Sequence, residues 1–130
     1  MSDAPTIIFV CEHGAAKSII AAAYFNKLAQ EENLDIRAIA RGTHPDEELS
    51  PKAMAGLRED GLTPTESIPT KLTPEEIESA QKIVSFCELT EEHSQKGAIE
   101  YWLNVPPVNE NYHASRDAIV EHIHKLIYHL

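Results

Sequence analysis

The sequence predicts an α/β fold in three layers, a four-stranded parallel sheet with helices on both faces, built by residues 1–130 as a single domain. Three observations carry this expectation. Short apolar runs alternate along the chain with longer stretches of helical period. The first run, Ile7 to Val10, is apolar at every position, the pattern of a strand covered on both faces. The chain has 130 residues, one domain's worth, and a chain of that size buries roughly two-thirds of its unfolded surface.

Each element has a local reason. After Ile7–Val10, a helix begins at Lys17-Ser18, and Ile20, Ala23, Tyr24 and Leu28 fall on one of its faces. Glu31-Glu32-Asn33 reads as its exit. Ile36 to Arg41 alternates as a second strand, which Gly42-Thr43-His44-Pro45 breaks. Ser50-Pro51 is an N-cap hydroxyl followed by proline at the first helical position, and that helix carries Ala53, Met54 and Leu57 to a stop at Gly61. Thr63 to Leu72 is a loop. Thr73-Pro74-Glu75-Glu76 is a capping box opening a short helix. Gln81 to Cys87 is the third strand and Ala98 to Leu103 the fourth. Val105-Pro106-Pro107-Val108 cannot be sheet interior, because proline cannot join the ladder. A last helix runs from His113, with Ile119, Ile123, Leu126, Ile127 and Leu130 as its apolar stripe. In such an alternation ligands bind beyond the C-terminal strand ends, where Cys11 and Cys87 fall.

Composition narrows the function. The formal net charge of −10 opposes general binding to nucleic acid or to an anionic membrane. Met1 to Thr6 does not resemble a signal peptide, and the apolar runs are too brief to cross a bilayer. Two cysteines fit a reducing cytoplasm better than a disulfide framework. Asp46-Glu47-Glu48, Glu75-Glu76 and Glu91-Glu92 read as solvated surface. His113, His122, His124 and His129 crowd the C-terminus without the spacing of a ligand set, so no metal and no cofactor are expected. Tyr101 and Trp102 read as core or pocket wall, and Tyr24 on the first helix as core. For Tyr112, a place at the mouth of a site is one alternative.

The chemistry concentrates in Cys11 to Ser18, CEHGAAKS. A loop of small residues between a strand and a helix N-terminus directs amide groups and the helix's positive end at one point, which favours an anion. A cysteine at the start of that loop is a candidate nucleophile. Gly14 permits a positive φ or a close backbone approach. Ala15 and Ala16 keep side chains out of the anion's space. Lys17 supplies charge, and Ser18 can hydrogen-bond a thiolate. The alternative is an inert buried cysteine, with Lys17-Ser18 simply starting a helix.

The segment resembles the phosphate-binding loop of low-molecular-weight protein tyrosine phosphatases and the related thioredoxin-coupled arsenate reductases, whose pattern is Cys-x5-Arg-Ser after the first strand. Cys11 and Ser18 match it, and His13 matches a Cys-x-His variant on the reductase side. Lys17 stands where the family has arginine, and Gly14 where it usually has asparagine. Arg41-Gly42-Thr43, the Ser50-to-Gly61 helix, Cys87 and Trp102 resemble family counterparts in order. The resemblance implies a four-stranded parallel sheet flanked by helices. It also implies an oxyanion held by Glu12, His13, Gly14, Ala15, Ala16 and Lys17, with Cys11, Lys17 and Ser18 as the catalytic group. The implied activity is weak hydrolysis of phosphotyrosine or a phosphorylated small molecule through a thiophosphate on Cys11. Weakness is expected because lysine lacks the planar fork of arginine. The family's late-loop aspartate is also missing, since Leu103 to Val108 contains no carboxylate. Glu110, Glu12 and His13 are candidates for a substitute acid. Two alternatives stay open. One is an arsenate reductase-like thiol enzyme using Cys11 and Cys87 with an external thiol reductant, although Ser94 replaces any third cysteine. The other is a non-catalytic oxyanion-binding module.

Overall fold

The fold is that of a computed structural model, which describes residues 6–89 and 99–129. Glu91, Glu92, Ser94, Ala98 and Leu130 of the sequence expectations, and all but the last residue of Met1–Thr6, lie outside the described residues. The element order is β1 (Thr6–Cys11), α1 (Lys17–Glu31), β2 (Arg37–Gly42), α2 (Pro51–Glu59), α3 (Pro74–Ser79), β3 (Lys82–Ser85), β4 (Ile99–Tyr101) and α4 (Tyr112–Tyr128). The strands form one sheet in the order β2-β1-β3-β4, every pair parallel. Cys11 lies opposite Gly42, and Val10 opposite Ser85.

Alternation along β1 explains the layers. Ile7, Phe9 and Cys11 join the core that holds α1, α2 and α4. Ile8 and Val10 face the other way and pack with Ile83, Leu72 and Ile77 of α3. Both sets are buried, as expected for a strand covered on both faces. No helix among the described residues is long and apolar enough to cross a membrane.

The caps read from the sequence are present. Ser50 Oγ accepts from Ala53 N at 3.2 Å, and both halves of the Thr73–Glu76 capping box form. Gly61 ends α2 at φ +77°. The last helix starts one residue earlier than expected, because the Asn111 side chain caps it by accepting from Ala114 N. The buried face of α1 is wider than the expected stripe. Ile19, Phe25 and Ala29 are buried with Ile20 and Ala23, whereas Tyr24 and Leu28 are only half-buried. A helix pressed against a sheet and flanked by other helices is covered over most of its circumference, so a single stripe under-describes it. Glu76 is also not simple surface: besides capping α3, it pairs with Arg41 at 2.8 Å. The exposed edge of β2 is satisfied by other groups, with Ala38 N donating to Asn26 Oδ1 and Ala40 N to Glu66 Oε1.

One carboxylate joins the helical layer. Asp60, at the end of α2, accepts from the Tyr24 hydroxyl of α1 at 2.5 Å, from the Tyr112 hydroxyl of α4 at 2.8 Å, and from Arg116 at 3.1 Å. Burial works against the Asp60 charge, but these donors outweigh it and hold its carboxyl below the usual range. Burial, then Asp60 itself, pushes the Tyr24 phenol up to about 12. Tyr112 fits because α2 carries glycine at position 56, where a Cβ would stand 2.3 Å from its ring.

Two outcomes follow. Gly56→Ala destabilises the fold by about 1–3 kcal/mol through overpacking, measured by urea unfolding. Asp60→Asn costs on the order of 2 kcal/mol at neutral pH. Because the folded carboxyl titrates below the unfolded one, its stabilisation is complete above pH ~4 and is lost as pH falls through the folded value. The gap between Asp60→Asn and the unsubstituted chain therefore narrows in acid.

Candidate active site

The strand order reverses beside β1: the chain leaves it to one side for β2 and later returns to its other side as β3. The crevice beyond the strand ends at such a point is where open α/β sheets take ligands. Cys11 ends β1 there, and Cys87 lies two residues beyond β3.

The loop between β1 and α1 is held by its carbonyls. Cys11 O accepts from Thr43 N at 3.3 Å, Glu12 O from His44 N at 2.7 Å, His13 O from Asp46 N at 3.0 Å, and Ala15 O from Ser50 N at 2.9 Å. In a trans peptide the N–H points opposite to the C=O. Tying these carbonyls to the 43–50 segment therefore turns the following amides, those of Glu12, His13, Gly14 and Ala16, to the other side. None of the amides from Glu12 to Lys17 donates to a protein acceptor among the described residues. Gly14 makes the reversal at φ +61°, and its backbone touches that of Gly42. A Cβ on Gly42 would lie 2.7 Å from Gly14 N, so both positions require glycine.

The thiol sits at the base of this loop. Cys11 is 9% exposed, and its Sγ is 3.0 Å from the buried Ser18 Oγ. It opens on a cleft of 310 Å³ whose walls include Ala15, Ala16, Phe86, Cys87, Pro107 and Val108. Lys17 lines the same cleft and donates from Nζ to Val105 O at 2.9 Å, tying the 103–108 segment to the loop. Cys87 is half-buried. Burial pushes its thiol up, the Ser85 hydroxyl partly offsets this, and the charge of Cys11 adds to the upward shift.

The rim is acidic and holds one imidazole. Glu12 and His13 line the cleft with side chains more than half exposed. Asp46 also lines it, with Oδ1 3.1 Å from His13 Nδ1. Its side chain is 54% exposed, so the reading of Asp46 as solvated surface holds, and its place on the rim is added to it. The signal was its position, directly beyond the break that ends β2, on the same edge of the sheet as Cys11. Glu110 is not brought to the site: it borders a separate depression with Lys52 and Tyr112. Tyr112 is buried there against Gly56 and is not at the mouth. Trp102 is core, stacked on His122 at 4.7 Å between ring centroids, whereas Tyr101 is exposed.

The sequence model for the low molecular weight phosphotyrosine protein phosphatases matches residues 6–127. The chain belongs to that family. Among solved structures, YfkJ from Bacillus subtilis matches with a TM-score of 0.85 at 15% identity, covering 98% of this chain and 94% of that one. A low-molecular-weight phosphotyrosine phosphatase from Vibrio cholerae O395 matches at 0.77 and 17%, covering 95% and 94%. The thioredoxin-dependent arsenate reductase of Corynebacterium glutamicum matches at 0.73 and 20%, covering 98% of this chain. The chain spans 62% of that reductase's length. No curated protein sequence matches. The fold is thus shared with phosphatases and arsenate reductases alike, and this family member has the four-stranded parallel sheet expected for them.

Gly14→Ala strains a left-handed backbone position and drives a methyl group into Gly42. Inorganic phosphate binding, followed by calorimetry or by protection against thermal unfolding, is expected to fall at least tenfold, because the loop cannot keep its shape.

Proposed function

We propose that this chain is a cysteine-dependent hydrolase of the protein tyrosine phosphatase type, in which Cys11 attacks phosphorus and carries a thiophosphate. The observation that supports this most is the run of unpaired loop amides from Glu12 to Lys17 beside a thiol that opens on a cleft. Donors fixed in advance around a tetrahedral oxyanion stabilise charge without reorganisation. Ser18, 3.0 Å from Sγ, stabilises the thiolate by donating to it, both as nucleophile and as leaving group in the second step. Lys17 adds a point charge without a bidentate fork, so the oxyanion is held less firmly and turnover is slow. The substrate is a phosphoryl group on a flat aryl carrier, phosphotyrosine or a small molecule. Phe86, Pro107 and Val108 give it an apolar wall. A nucleophilic thiol of this kind belongs in a reducing cytoplasm.

Cys87 favours a second reading, an arsenate reductase-like cycle. It lines the cleft with Cys11, so its thiolate would attack Cys11 sulfur in a thiol–arsenate ester. The S–As bond then breaks, arsenic takes two electrons and leaves as arsenite, and a Cys11–Cys87 disulfide forms. An external dithiol reduces that disulfide.

A p-nitrophenyl phosphate assay separates these readings from a binding module: turnover is expected, and Cys11→Ser abolishes it. Turnover no higher than that of Cys11→Ser would end the hydrolase reading, and a thiol-coupled arsenate assay tests the other. Lys17→Arg is expected to tighten competitive inhibition by inorganic phosphate and to raise turnover, each by about tenfold, the worth of one added charge-assisted hydrogen bond.

A further inference from the structure

Hydrolysis of a phosphate ester leaves one proton to be supplied, because the departing oxygen carries the bonding pair. The cleft side chains with an exchangeable proton are Cys11, Glu12, His13, Lys17, Asp46 and Cys87, among the described residues. Cys11 is the nucleophile of the reading above, and Lys17 already donates to Val105 O. Glu12 and Asp46 flank His13, and an imidazole is the side chain most often used to move a proton in a transition state. That leaves His13.

His13 is clasped at two points by one residue. Asp46 N donates to His13 O at 3.0 Å, and Asp46 Oδ1 lies 3.1 Å from His13 Nδ1. The first contact fixes the backbone of the pair, and the second sets a carboxylate oxygen beside the ring. With Asp46 beside Nδ1, Nε2 is the ring nitrogen on the side away from that carboxylate. Its nearest charged neighbour is Glu12 Oε1 at 4.0 Å, beyond hydrogen-bonding distance. The groups facing this imidazole are therefore Asp46 from the segment after β2, Glu12 from its own loop, and Cys11, Lys17 and Cys87 from the cleft.

We propose that His13, oriented by Asp46, is the general acid and base of this site, replacing a carboxylic acid that the 103–108 segment lacks. The assignment rests on the hydrolase reading. In the first step the Cys11 S–P bond forms and the P–O bond to the carrier breaks. The proton on His13 Nε2 passes to the departing oxygen, which leaves as a neutral phenol or alcohol. In the second step neutral Nε2 takes a proton from a water whose oxygen attacks phosphorus. The P–S bond breaks, phosphate leaves, and Cys11 returns as thiolate with His13 reprotonated. Asp46 acts through the imidazole and is a positioning residue.

The test uses two esters on the full chain. Phenyl phosphate has a poor leaving group and p-nitrophenyl phosphate a good one. His13→Ala is expected to lose about 100-fold in kcat/KM on phenyl phosphate, within the usual range for general acid catalysis. The loss on p-nitrophenyl phosphate is smaller by about tenfold. The alkaline limb of the phenyl phosphate pH profile disappears, and added imidazole restores part of the rate. Asp46→Asn shows the same leaving-group bias at smaller amplitude. His13→Gln is the second variant should His13→Ala fold poorly by circular dichroism, and it is expected to show the same bias. Equal losses on the two esters, or an unmoved alkaline limb, would overturn the assignment and make His13 a brace of the loop. If the unsubstituted chain shows no Cys11-dependent turnover of either ester, the hydrolase reading fails and takes this assignment with it.

Discussion

Four hydrogen bonds to the carbonyls of Cys11, Glu12, His13 and Ala15 are the constraint on which the site depends. They come from backbone amides between Thr43 and Ser50, the stretch that leads from β2 to α2. A chain segment remote in sequence thereby fixes the direction of four peptides in the loop. The Gly14–Gly42 contact belongs to the same construction, since only two residues without Cβ let the backbones come this close. Parallel pairing of β1 with β2 sets the height at which the two segments meet, with Cys11 opposite Gly42. The sheet register and the site geometry are thus one structure.

The electrostatics run against the global charge. The chain carries a formal −10, and Glu12 and Asp46 stand on the rim of the cleft. Dipoles at short range decide the matter inside the loop, where unpaired amides and the start of α1 act over a few ångströms. Exposed carboxylates more than a Debye length away are largely screened. The two rim carboxylates are closer than that, and His13 sits between them. Asp46 Oδ1 lies 3.1 Å from its Nδ1, so this carboxylate is engaged on the rim by the ring.

Much of this was legible in the sequence because it is local. Ser50-Pro51 and Thr73-Pro74-Glu75-Glu76 name their caps within four residues, and Ile7–Val10 names a covered strand by composition alone. Cys11 and Ser18 were legible as a pair because one short loop brings them together. What escaped reading depends on partners distant in sequence. Asp46 comes to the rim of the cleft only because β2 pairs with β1. Glu76 turned inward because Arg41 ends up beside it, and Tyr112 because Gly56 makes room for its ring. The width of the buried face of α1 likewise belongs to the layers around it, not to its own period.

Under the proposed function the anion cradle is assembled from main-chain atoms, and this bears on how such a chain can diverge. Every residue type but proline brings a peptide N–H, so an exchange at position 12 or 17 would alter reactivity while leaving the mould intact. A lineage would then be free to exchange one cationic side chain for another at position 17. The glycines at 14 and 42 have no such latitude. Shape here is inherited through two residues that lack side chains, and chemistry is revised through those that have them.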